Sequence, residues 1–136
     1  MAEGYSPTIK AYAACAGFFT TGSTAPIPDV PAYLCLDNTD MTTQTATTNA
    51  PSTELTVSLA RALATRTNST ITVANDTCQV YYQWTSGSTA TVYGAEAMST
   101  TPAGNMLGWH RWAAGVPIVA TDVINQYIKF QFVIGS

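Results

Sequence analysis

Charge is what this chain has least of: 10% of its 136 residues are Asp, Glu, Lys or Arg, where soluble domains commonly carry about 25%. Thr, Ser and Ala fill the positions that Lys and Glu usually hold, so charge repulsion protects the surface only weakly. Lys10, Arg61, Arg66, Arg111 and Lys129 are the only cations, and the net charge is −3. With no basic stripe to neutralise a run of phosphates, nucleic acid is not an expected partner. No segment approaches the roughly 20 apolar residues of a membrane span, and the opening Met-Ala-Glu-Gly-Tyr-Ser-Pro has neither the basic start nor the apolar stretch of a secretory signal. The expectation is a chain made and kept soluble in a cytoplasm, with no membrane partner. Cysteine is scarce as well. Cys15, Cys35 and Cys78 are odd in number and widely spaced, which excludes a complete disulfide framework and any paired metal-ligand spacing, so they read as buried free thiols. Without a secretory signal, the sequons at Asn68 and Asn75 read as turn and strand residues.

The groups that carry catalysis are equally thin. His110 is the only histidine, and no carboxylate or thiolate stands at ligand spacing from it. A Ser-His-Asp arrangement drawn through Asp122 has no Gly-x-Ser-x-Gly elbow to select its serine. The sequence therefore predicts no enzyme and no cofactor. Most acids, among them Asp29, Asp37, Asp40, Asp76 and Asp122, fall in predicted loops. Glu96 is the exception: it lies in a predicted strand beside an apolar stretch and, once buried, needs a partner. Arg61 or Arg111 would supply one, giving a structural ion pair.

What the chain does have is period-two alternation. Ile128, Phe130, Phe132 and Ile134 fall on one side of Gln126 to Ile134, with Lys129 and Gln131 on the other, as in a half-buried strand. Cys78, Val80, Tyr82 and Trp84 share a face, opposite Gln79, Tyr81 and Gln83, and Ser86-Gly-Ser then suggests a hairpin into Thr91 to Met98. Leu55, Val57 and Leu59, and then Ile71 and Val73, read as two further strands. Tyr33-Leu-Cys-Leu runs apolar on both faces, and Met106 to Trp112 places Trp109 with Leu107 on one face and His110 with Trp112 on the other. Pro26, Pro28 and Pro31 forbid a helix and mark residues 1–31 as an extended arm with a short strand. Residues 32–136 form the domain, within which the Thr-rich stretch 37–53 reads as an exposed loop. Turn signals every eight to twelve residues predict an all-β antiparallel sandwich or jelly-roll-like domain. Of the aromatic residues, Trp84 and Trp109 are assigned to the core. Tyr81, His110 and Trp112 are the expected interface.

Over roughly the last eighty residues, an ordered set of motifs recurs: Thr53-Glu-Leu, Arg61, Glu96 with Ala97, Gly104-Asn-Met-Leu, Pro117-Ile and the alternating strand from Tyr127 to Ile134. This order resembles a family of small virion structural proteins of tailed bacteriophages. It departs from the family at Ser58, where a Glu is usual, and at Met98-Ser-Thr, where Gly-Leu-Phe is usual. The resemblance implies a virion component without catalytic residues: a capsid decoration or cement protein bound as a homo-oligomer to the major capsid protein or to other virion proteins, or else a tail, collar or fibre component. From a different class, a carbohydrate-binding module with an aromatic face is the alternative the residues leave open.

Overall fold

The computed structural model describes residues 4–7, 31–45, 48, 50–51, 53–69, 77–99 and 105–131. Eight strands run in chain order: β1 (Gly4–Pro7), β2 (Tyr33–Asp37), β3 (Ala62–Leu63), β4 (Thr65–Ser69), β5 (Thr77–Thr85), β6 (Ala90–Met98), β7 (Met106–Ile118) and β8 (Val123–Gln131). The helical element among the described residues is a single 3₁₀ turn, Met41–Thr43. The strands form two antiparallel sheets, one ordered β1-β7-β6-β2-β3 and the other β4-β5-β8. This is the all-β sandwich that the alternation predicts.

The core between the sheets follows from register. β5 and β8 pair over nine consecutive positions, and this sets Val80 against Ile128 and Trp84 against Ile124 on the inward face. Leu34, Leu36, Ala95 and Ala97 close on them from the five-stranded sheet. That sheet is buried on its other face too, where Cys35, Met98, Met106 and Trp109 cluster with Met41. A strand covered on both sides carries no polar alternation, which is why Tyr33-Leu-Cys-Leu reads as a continuous apolar run.

Three local expectations are corrected. The Ser86-Gly-Ser turn does not make a hairpin, because β5 and β6 belong to different sheets. Ser86 is buried and donates its N–H to the Asp122 carbonyl, while Thr121 donates to the Ser86 carbonyl, so the connection arches across the sandwich and locks onto the β7–β8 turn. Trp109 is buried as expected, but it packs with Cys35, Met98 and Met106 on the far face of its sheet and not between the two sheets. The β6–β7 register slips there, with Ala97 opposite Gly108 and Met98 opposite Met106, so Leu107 is a bulge residue and the alternation is displaced by one. The strand expected at Leu55 to Leu59 is absent: Ser58 has φ 59° and Val57 is 73% exposed. Leu59 alone of that stretch is fully buried in the core. No helix replaces it.

In the 37–53 stretch, Met41 and Gln44 are buried while Asn38, Thr42, Thr43 and Thr45 are exposed. Gly94 explains where Met41 goes: a Cβ there would stand 2.4 Å from the Met41 sulfur and 2.3 Å from the His110 carbonyl oxygen. Only glycine lets the loop seat its methionine on the sheet at that point. Of the arm, β1 pairs with β7, Gly4 opposite Arg111 through Pro7 opposite Gly108. Residues 8–30, the strand expected at Ile71 and Val73, and Phe132 to Ile134 lie outside the described residues, as does Cys15.

Candidate functional site

The outward face of the three-stranded sheet gathers the side chains best placed to meet a partner. Strand alternation turns Gln79, Tyr81, Gln83 and Thr85 of β5 outward, and register sets them opposite Lys129, Tyr127, Asn125 and Val123 of β8. The Tyr81 and Tyr127 rings stack with centroids 4.4 Å apart and planes 25° from parallel. The Tyr81 hydroxyl donates to Asn125 Oδ1 at 2.9 Å, and Gln83 Nε2 donates to the same oxygen at 2.8 Å. Tyr127 stays 48% exposed and Val123 53%. Lys129 is the only charge on these two strands. Chemically the face is a nearly neutral array of one aromatic pair and aligned amides, suited to stacking and hydrogen bonding rather than to steering ions.

His110 and Trp112 do not join it. Both are half-buried and meet at Gln126, whose side chain points inward from β8. Trp112 Nε1 can only donate, and it reaches Gln126 Oε1 at 3.1 Å. This fixes the amide so that Gln126 Nε2 faces His110 Nδ1 at 3.1 Å and the Tyr127 carbonyl at 2.6 Å. The ring nitrogen therefore accepts. The three residues expected to form one interface are thus divided by the thickness of a sheet: Tyr81 faces out, while His110 and Trp112 tie β7 to β8.

The acidic group that the sequence singles out is buried and differently partnered. Arg61 binds Glu54 in a two-pronged contact, Nε to Oε1 at 2.8 Å and Nη2 to Oε2 at 2.5 Å. It does not pair with Glu96, which acts on it only through space. The expected Glu96–Arg61 pair is corrected accordingly: both prongs of the guanidinium are taken by an acid seven residues earlier. Arg111 stands opposite Gly94 in β6.

Glu96 instead interacts with the Asp37 carboxyl group, while its own Oε1 is buried without a hydrogen-bond partner. Burial, followed by the charge of Asp37, pushes Glu96 well above the usual carboxylic acid range. Burial also pushes Asp37 up, but the donors of Thr39 and Thr53, together with Glu96, outweigh it and hold that carboxylate below its ordinary value. The proton of the pair therefore sits on Glu96. Cys35 Sγ lies 3.5 Å from Glu96 Oε2, and burial, reinforced by Glu96, raises its thiol far out of the reactive range. Asp37, Glu96 and Cys35 are all fully buried. The cluster clamps the start of the 38–53 loop to the sheet and is closed to a substrate.

Among the described residues no three His, Cys, Asp or Glu side chains converge as metal ligands would, and no helix is long and apolar enough to cross a membrane. Tyr127, Asn125 and Gln83 were not singled out from sequence. Alternation shows which side each occupies on its own strand, but the register that brings β5 against β8 is a long-range fact. No family model matches the chain, and no curated protein or solved structure matches it.

Proposed function

We propose that this chain is a non-catalytic structural subunit of a tailed-phage virion, acting as a decoration or cement protein on the capsid lattice. The observation that carries the reading is the outward face of β5 and β8, a surface that runs over nine consecutive register pairs and bears Lys129 as its single charge. Such a face gains from being covered and loses little charge solvation in the process. The ordered motifs of the second half support the same reading by their resemblance to phage virion proteins. The work would be mechanical. Many copies, each adding a few kcal/mol of contact, stabilise a particle through repetition.

Particles lacking the chain, mixed with purified protein and imaged by cryo-electron microscopy, test this. Density repeated over the capsid lattice is the expected result. Density confined to a tail, collar or fibre would move the chain to that location, and absence from particles would end the virion reading.

A second reading, a carbohydrate-binding module, is favoured by one specific observation: the stacked tyrosines flanked by the Asn125 and Gln83 amides. Aromatic faces stack on the C–H surface of sugars, and amides satisfy their hydroxyls. Purified bacterial surface polysaccharide bound by the wild-type chain and lost in Tyr127→Ala would support it.

A further inference from the structure

Three of the four sheet edges are protected in the ways natural proteins protect edges. In the five-stranded sheet, β1 has four residues and β3 has two, and edges this short give a second chain little to pair with. The stretch of β7 that runs past β1 carries Pro117, which donates no hydrogen bond. In the three-stranded sheet, β4 is only five residues long, against nine in β8. The remaining edge is β8. Its nine residues pair with β5 without a bulge, it contains no proline and no glycine, and among the described residues no strand lies on its outer side. Edges of this kind, long, regular and lightly charged, are templates for strand addition.

We propose that β8 pairs antiparallel with β8 of a second copy, joining the two three-stranded sheets into one continuous six-stranded sheet. The register selects the occupant. A two-fold axis at Tyr127, the midpoint of Val123–Gln131, sets Tyr127 against Tyr127 and pairs Ile124 to Phe130 with their counterparts, so that the Tyr81–Tyr127 stack continues across the axis as a ladder of four rings. In that register Lys129 of each copy faces Asn125 of the other, and no like charges meet. An axis at Lys129 would oppose two ammonium groups and shorten the overlap. On the inward side, Ile124 of one copy meets Phe130 of the other, extending the apolar layer. The pairing rests on the reading of the chain as an assembling subunit and names the surface through which it assembles.

Sedimentation of the full chain tests it. Wild type is expected at twice the 14.4 kDa chain mass, and Tyr127→Glu and Tyr127→Lys, each opposing like charges across the axis, at the single-chain mass with unchanged circular dichroism. An equimolar mixture of the two variants should return to the double mass, since glutamate then faces lysine. Asn125→Lys, which opposes Lys129 of the other copy, should also lose the dimer. A monomeric wild type, variants that stay dimeric, or a mixture that stays monomeric would each overturn the pairing. A monomer that still decorates particles sinks the edge contact alone, whereas a dimer that binds no particle sinks the capsid reading alone.

Discussion

Glu96 is a fully buried carboxyl group, and it makes stability depend on pH in an unusual direction. Its folded-state pKa is raised, so its contribution is fully present below the ordinary glutamate value and is lost as pH rises toward the folded value. Asp37 works the other way. Its folded pKa is lowered, and its contribution is lost only when pH falls through that lower value. Through the window above the ordinary glutamate pKa, the unfolding free energy of the wild type, read from its urea transitions, should therefore decline as pH rises, with a limiting slope of about 1.4 kcal/mol per pH unit for one proton. Glu96→Gln keeps a donor toward Asp37 and has no proton to lose, so its midpoints should stay flat over the same range. A wild-type profile as flat as that of the variant would refute the placing of the proton on Glu96. Thr121 offers a simpler case. It is β-branched, exposed and held at φ 79°, a conformation that costs an L-residue roughly 1 to 2 kcal/mol. Thr121→Gly should raise the thermal midpoint, with a gain of about 1 kcal/mol after the added freedom of the unfolded glycine is subtracted.

At the scale of elements, β8 joins three roles: inward apolar packing, the Gln126 tie to β7, and the outward tyrosine face. Ile128→Ala removes buried contacts opposite Val80 and should cost about 2 to 5 kcal/mol by chemical denaturation, more than Tyr127→Ala, which removes a side chain that is 48% exposed. These elements also show how far the sequence could be read. β8 and β5 were legible because each keeps strict alternation between polar and apolar residues, and the doubly covered β2 was legible from its unbroken apolar run. The bulge at Leu107 was not, since one extra residue displaces every later side chain without changing composition. Ser86-Gly-Ser has the chemistry of a hairpin turn, and only the hydrogen bonds to the Asp122 turn make it an arch. For the candidate site, the outward position of Tyr81 was readable from alternation. Its neighbours Asn125 and Tyr127 were not, because they lie more than forty residues along the chain, and neither was the burial of His110 and Trp112 against Gln126. Glu96 is legible as a buried acid that needs a partner, but only the long-range register shows that its neighbour is another acid, Asp37, and not a guanidinium.

For the whole molecule, the two-sided burial of the five-stranded sheet places Cys35 where no reagent reaches it in the native state. Its thiol is both inaccessible and held in the protonated form. Labelling at Cys35, followed by peptide mass analysis, should therefore proceed at the rate of global opening and accelerate only with denaturant, while the half-buried Cys78 reacts earlier. Equal rates at the two positions would mean that the outer layer over the sheet opens independently of the core. The arches bear on kinetics. Hairpins β4–β5 and β6–β7 close over short stretches of chain and can form early, but they belong to different sheets, so neither completes the other. β2 must wait for β6, and β5 must wait for β8. Topologies dominated by such distant pairings fold in milliseconds to seconds, and on the ribosome the edge of β5 that takes β8 stays unpaired until β8 has emerged.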